Sequence, residues 1–66
     1  MKFEILDSTS RAQPYYWRIV ASNGQVLATS ETYTSKQGCQ NAIATVKAYA
    51  ATAATVDRTR SAARAW

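Results

Sequence analysis

The run Tyr15-Tyr16-Trp17-Arg18 is the stretch of this chain best equipped for chemistry. Flat aromatic rings beside a guanidinium are what an open sheet needs to stack nucleobases and hold phosphates. A second basic cluster lies near the end of the chain, where Arg58, Arg60 and Arg64 face only Asp57. Arginines of this kind neutralise phosphates and release counterions. Each feature also has a plain structural use. Tyr and Arg stems can cover Val20 and Leu27 across neighbouring strands. Terminal arginines can keep a chain end soluble and guard an edge strand. The candidate binding residues are therefore Tyr16, Arg18, Leu27 and Thr29 on one sheet face, joined by Arg58 and Arg60.

Catalysis finds little to work with. Cys39 sits near a helix N-terminus, where a dipole lowers a thiol pKa. The chain has no histidine to serve as its base. Cys39 also falls on an apolar stripe, which makes it a core residue. The only carboxylates are Glu4, Asp7, Glu31 and Asp57, scattered over different elements. Acid–base chemistry by a carboxylate pair needs two of them together in a pocket, and metal binding fails on the same count. With only Gly24 and Gly38, there is no glycine-rich phosphate loop. The expectation is no enzyme, no cofactor and no metal.

These residues must be held by a very small domain. Sixty-six residues hide only about 60% of the surface their unfolded chain exposes. One cysteine excludes an internal disulfide and the lack of histidine excludes imidazole metal sites, so oligomerisation is the remaining remedy. The net charge of +4 permits acidic or nucleic-acid partners without requiring them. No apolar run approaches a membrane span. The first residues, with Glu4 inside their apolar stretch, do not read as a signal peptide. The expected location is cytoplasmic.

Phe3 and Ile5 alternate with polar neighbours, the period of a strand with one buried face. Residues 7–14 are rich in Ser, Thr, Asp and Pro and read as a loop. Residues 15–20 are aromatic and β-branched, a second strand. Asn23-Gly24 predicts a two-residue type I′ turn, followed by a third strand over residues 25–29. That turn would set Ala21 opposite Val26, Val20 opposite Leu27 and Ile19 opposite Ala28. One face would then carry Trp17, Ile19, Ala21, Val26 and Ala28, facing the core with Phe3 and Ile5. Thr34 with Gln37 fits a capping box, with Ser35 as the competing N-cap. Cys39, Ala42, Ile43, Val46 and Ala50 then form the helical stripe on the sheet, with Tyr49 flanking. Gly38 weakens the first turn. After residue 50 nothing stops the helix, while Thr52, Thr55, Val56 and Thr59 favour extended chain; propensity leaves both open.

The ordered set Phe3-Glu4-Ile5, Trp17-Arg18-Ile19, residues 21–30, Tyr33-Thr34-Ser35-Lys36, residues 39–43 and Val46-Lys47 resembles the YegP-like family, small domains of unknown function. The resemblance covers residues 2–50. It implies an α+β, β-β-β-α-β unit with an antiparallel sheet packed on one helix. It also implies a homodimer that exchanges C-terminal strands into one continuous sheet, with residues 55–59 as that strand, Val56 and Arg58 on one face and Asp57 on the other. Members usually break the helix with an Asn/Pro/Asp segment, whereas residues 49–54 here hold only Tyr, Ala and Thr. A longer helix and a swapped strand therefore both stay open. One domain over residues 1–60 and a tail over 61–66, with Trp66 docked on the partner or exposed, complete the expectation. The function implied is a small dimeric interaction module for a protein partner, with nucleic-acid binding as the alternative.

Overall fold

A computed structural model of the chain describes residues 1–60; Arg64 and Trp66 lie outside them. Three strands, β1 (Lys2–Asp7), β2 (Tyr15–Val20) and β3 (Val26–Thr29), precede one helix, α1 (Lys36–Tyr49). The sheet is antiparallel in the order β1-β2-β3. Its β1–β2 half runs without slippage from Lys2 opposite Val20 to Asp7 opposite Tyr15. The eight-residue spacing that reads as a loop is closed by the Ser8 N–H donating to the Pro14 carbonyl at 2.6 Å.

The β2–β3 connection departs from the two-residue turn. Gly24 has φ +89°, and no non-glycine among the described residues has positive φ. A type I′ turn needs two such residues. Instead the Gly24 N–H donates to the Ala21 carbonyl at 2.9 Å and the Ala21 N–H to Gln25 at 2.8 Å, which closes a three-residue loop. Asn23 Oδ1 accepts from the Gln25 N–H. Ile19 does face Ala28, but Val20 faces Val26, with Leu27 as the extra residue of a bulge. A one-residue slip moves side chains to the other face. Val26 therefore shares a face with Val20, away from the helix.

The helix lies over β2 and β1 and leaves β3 bare. Trp17, Cys39 and Ile43 form the buried cluster, with Phe3, Tyr15, Ile19, Tyr33, Ala42 and Val46 packed around it. The expected core thus holds for Phe3, Trp17, Ile19 and most of the helical stripe. It fails for Ile5, Val26 and Ala28, which are exposed, and for Ala50, which follows the helix and is also exposed. Val20, assigned to the open face, is 4% exposed.

Ser35 caps α1: its Oγ accepts from the Gly38 N–H at 3.0 Å. Thr34 does not, and Gln37 donates instead to Asn41 one turn on. Gly38 has a role beyond weakening the turn. A Cβ there would stand 3.3 Å from Tyr33 Cδ2, so glycine lets the Tyr33 ring close on the helix. Tyr33 is tied to Tyr15 by two backbone hydrogen bonds, of 3.2 and 2.7 Å, and its hydroxyl accepts from Trp17 Nε1 at 3.4 Å. Ser30 stitches the same region, since its Oγ accepts from the Trp17 N–H at 2.9 Å.

The helix stops without Gly or Pro. A single 3₁₀ turn over Ala50–Thr52 ends it, and Ala53 is already extended, at φ −69° and ψ 137°. The Thr52 hydroxyl donates to the Tyr49 carbonyl at 3.2 Å. Residues 53–58 then run exposed and join no ladder within the protomer, so the strand expected over 55–59 is absent from the three-stranded sheet. The radius of gyration is 15.0 Å, against about 11 Å for a compact chain of this length.

Candidate binding face

Opposite α1 the sheet presents the Lys2, Glu4 and Leu6 side of β1, the Tyr16, Arg18 and Val20 side of β2, and the bulged β3 with Thr29. Glu4 and Arg18 are cross-strand partners, and Arg18 Nε donates to Glu4 Oε1 at 2.7 Å. Lys2 Nζ lies 3.3 Å from the other carboxylate oxygen. The hydrogen bond from Arg18, then that from Lys2, holds the Glu4 carboxyl below its ordinary range. The guanidinium that looked available for phosphate is therefore engaged inside the sheet. Of the three neighbouring aromatics only Tyr16 shares this face. Trp17 is buried under the helix, and Tyr15 packs on the core cluster with Lys36 Nζ 5.8 Å from its ring centre.

The apolar part of the face is on β3, where Val26 is 43% and Leu27 53% exposed. At the other end, Tyr16 and Thr29 line a concavity of about 410 Å³ with Asp7, Ser8, Thr9, Ser30 and Thr32. Its walls are tied: Ser8 Oγ accepts from the Ser10 N–H at 2.9 Å, and the Thr32 hydroxyl donates to Gln13 Oε1 at 2.5 Å. Asp7, Ser8, Thr9, Ser30 and Thr32 were not among the expected site residues. The signal for the first three was the polar loop over 7–14, which shows composition but not where it folds.

A second concavity, about 340 Å³, opens between the β1 edge and α1, against Phe3, Ile5, Ile43 and Ala44. Lys47 Nζ stands 5.5 Å from the Phe3 ring centre beside it. Arg58 and Arg60 line neither concavity; both are exposed beyond the 3₁₀ turn. The structure thus brings Tyr16 and Thr29 together, keeps Arg18 with Glu4, and separates the tail arginines from both.

Cys39 is fully buried, and burial pushes its thiol up, the opposite of an activated nucleophile. Asp57 accepts from the Thr59 hydroxyl at 2.7 Å and its N–H at 2.9 Å, which lowers its pKa. No three metal-ligating side chains converge among the described residues. No helix there is long and apolar enough to cross a membrane.

A domain model described as a domain of unknown function, DUF1508, matches residues 10–57. A UPF0339 protein of Treponema denticola is 41% identical over 85% of this chain and 93% of its own length. A UPF0339 protein of Agrobacterium fabrum is 38% identical over 88% and 90%. A UPF0339 protein of Neisseria meningitidis is 49% identical over 50% of this chain, a match spanning 59% of that relative's length. The chain belongs to the DUF1508 family, the YegP-like domains its residue pattern resembles. The family's function is unknown, and none of these names states an activity.

Proposed function

We propose that this DUF1508 member is a non-catalytic interaction module, which acts as a homodimer and binds another protein on the open face of its sheet. One observation carries the dimer: residues 53–58 are exposed and outside every ladder, with Ala53 extended, while β1 and β3 each leave an edge open. An extended segment with unpaired backbone groups beside open edges is what strand exchange uses. Among the described residues only Trp17, Val20, Cys39 and Ile43 are buried in a protomer, and a second copy would supply the missing burial. Exchange of the C-terminal strand into one continuous sheet is the arrangement the family resemblance implies. The exposed Val26 and Leu27 on β3 support a protein-binding face. The Glu4 carboxylate held by Arg18 and Lys2, and the buried Cys39 thiol, support the absence of catalysis.

Sedimentation of the full chain against a chain lacking residues 55–66 tests the dimer. A dimer that becomes monomeric or unfolded on truncation is expected; a truncated chain that stays a folded dimer overturns the exchange. Nucleic acid is the second reading, favoured by the exposed Arg58 and Arg60. Titration with short random RNA and DNA at two salt concentrations separates the two, because phosphate contacts weaken steeply with salt. Salt-sensitive shifts at Tyr16, Arg18, Thr29 and Arg58 would favour nucleic acid over a protein partner.

A further inference from the structure

We infer that the groove between β1 and α1 receives Val56 of a second copy, so that β1, and not β3, is the edge that takes the exchanged segment. The inference rests on the exchange proposed above, and adds which edge accepts the segment and which side chain anchors it. Ile5 stands opposite Trp17 in the strand register, which sets both side chains on the helix side. Trp17 is 9% exposed there, yet Ile5 is 39% exposed. The outer strand is therefore short of cover on the very side that α1 packs against. The groove at that place, about 340 Å³, is walled by Phe3 and Ile5 from the strand and by Gln40, Ile43, Ala44 and Lys47 from the helix. The helical spacing of three, four and seven residues puts those four positions on one face of α1.

The chain itself carries a residue fit to fill it. Between Ala50 and Arg58, Val56 is the only apolar side chain larger than alanine. It is 68% exposed, in a segment that joins no ladder among the described residues, so its own protomer does not seat it. A β-branched side chain suits a strand, and a strand laid along the free edge of β1 turns every second side chain toward the helix. The free edge of β3 offers no such seat, because α1 packs on β1 and β2 and leaves β3 bare. A valine there would stay in water. Reciprocal seating, each groove holding the other copy's Val56, closes the assembly at two. A nucleic-acid backbone would meet one ammonium among these walls, that of Lys47 beside the Phe3 ring, too little to follow successive phosphates.

The test uses the full chain, with carbon-13-labelled and unlabelled copies mixed in urea and refolded together. Isotope-filtered NOE spectroscopy then reads contacts between copies alone, and sedimentation of the same sample reports the oligomeric state. Contacts from the Val56 methyls to Ile5 and Ile43 of the other copy are expected. A dimer whose Val56 meets Val26 or Leu27 instead, or no methyl of the other copy, overturns this inference alone; a monomer overturns the exchange and this seat with it. Ala44→Arg blocks the groove from an exposed position on α1. It should raise the dimer dissociation constant about tenfold or more, the scale of one valine left unburied. Leu27→Arg, on β3, should change it within about twofold. The dispersion of each amide spectrum reports folding, and equal effects of the two substitutions overturn the choice of edge.

Discussion

Glu4 is the residue whose charge the fold uses most. Its carboxyl sits between Arg18 and Lys2, and both lower its pKa. A group whose folded pKa is depressed stabilises above its unfolded value and loses that contribution as pH falls through the folded one. The unfolded value lies at about 4.3, so the loss belongs to the acid limb below it. Glu4→Gln should flatten that part of the urea midpoint against pH, and the Glu4 side-chain carbonyl should titrate below the ordinary carboxylate value. A Glu4 that titrates at that value would remove the account of why Arg18 is unavailable to a ligand. Gly38 poses a contest of two effects. Alanine improves a helix interior by about 1 kcal/mol, but its Cβ would press within 3.3 Å of a Tyr33 ring anchored by Tyr15 and Trp17. Gly38→Ala should therefore gain clearly less than the propensity value in urea unfolding; a full gain would mean that the Tyr33 ring yields freely.

Among the elements, β2 carries the fold and β3 contributes little to it. Trp17 is 9% exposed at the centre of the helix-facing cluster. Trp17→Ala should cost about 3–5 kcal/mol, much of the total stability of a domain this size. Leu27, on the bulge and 53% exposed, should cost under about 0.5 kcal/mol when cut to alanine in a single protomer. Equal losses at the two sites would mean that β3 is covered after all. The helix start depends on one hydroxyl: Ser35→Ala should cost about 1 kcal/mol, and Thr34→Ala clearly less. Strand and helix positions were legible because aromatic and β-branched runs and 3.6-residue spacing are local. The register of β3 was not. One left-handed glycine in place of two positive-φ residues lengthened the turn, and the resulting bulge moved Val26 to the other face.

For the whole molecule, the decisive feature is a body of three strands and a helix followed by an exposed segment, residues 53–58, that joins no ladder. Val56 is 68% exposed in that segment. Val56→Asp should be nearly neutral in an isolated protomer, since exposed substitutions stay within about 0.5 kcal/mol. If the segment pairs with a second copy, the same change should make stability fall with dilution and shift sedimentation toward monomer. Concentration-independent unfolding in both proteins would count against exchange.

By itself the sequence determined the order of elements, the helix-facing set of Phe3, Trp17, Ile19, Cys39 and Ile43, and the small core that makes a partner useful. All of these follow from local periodicity, chain length and residue counts. Tertiary structure alone decided where α1 lies, and hence that β3 stays uncovered. It also decided that Arg18 is taken by Glu4, that Tyr33 closes over Gly38, and that the polar loop after β1 curls round to meet Tyr16 and Thr29. These are contacts between different elements, such as Glu4 with Arg18, or choices between near-equal local conformations. Propensity is blind to both, because their free energies come from the neighbours that the folded chain brings together.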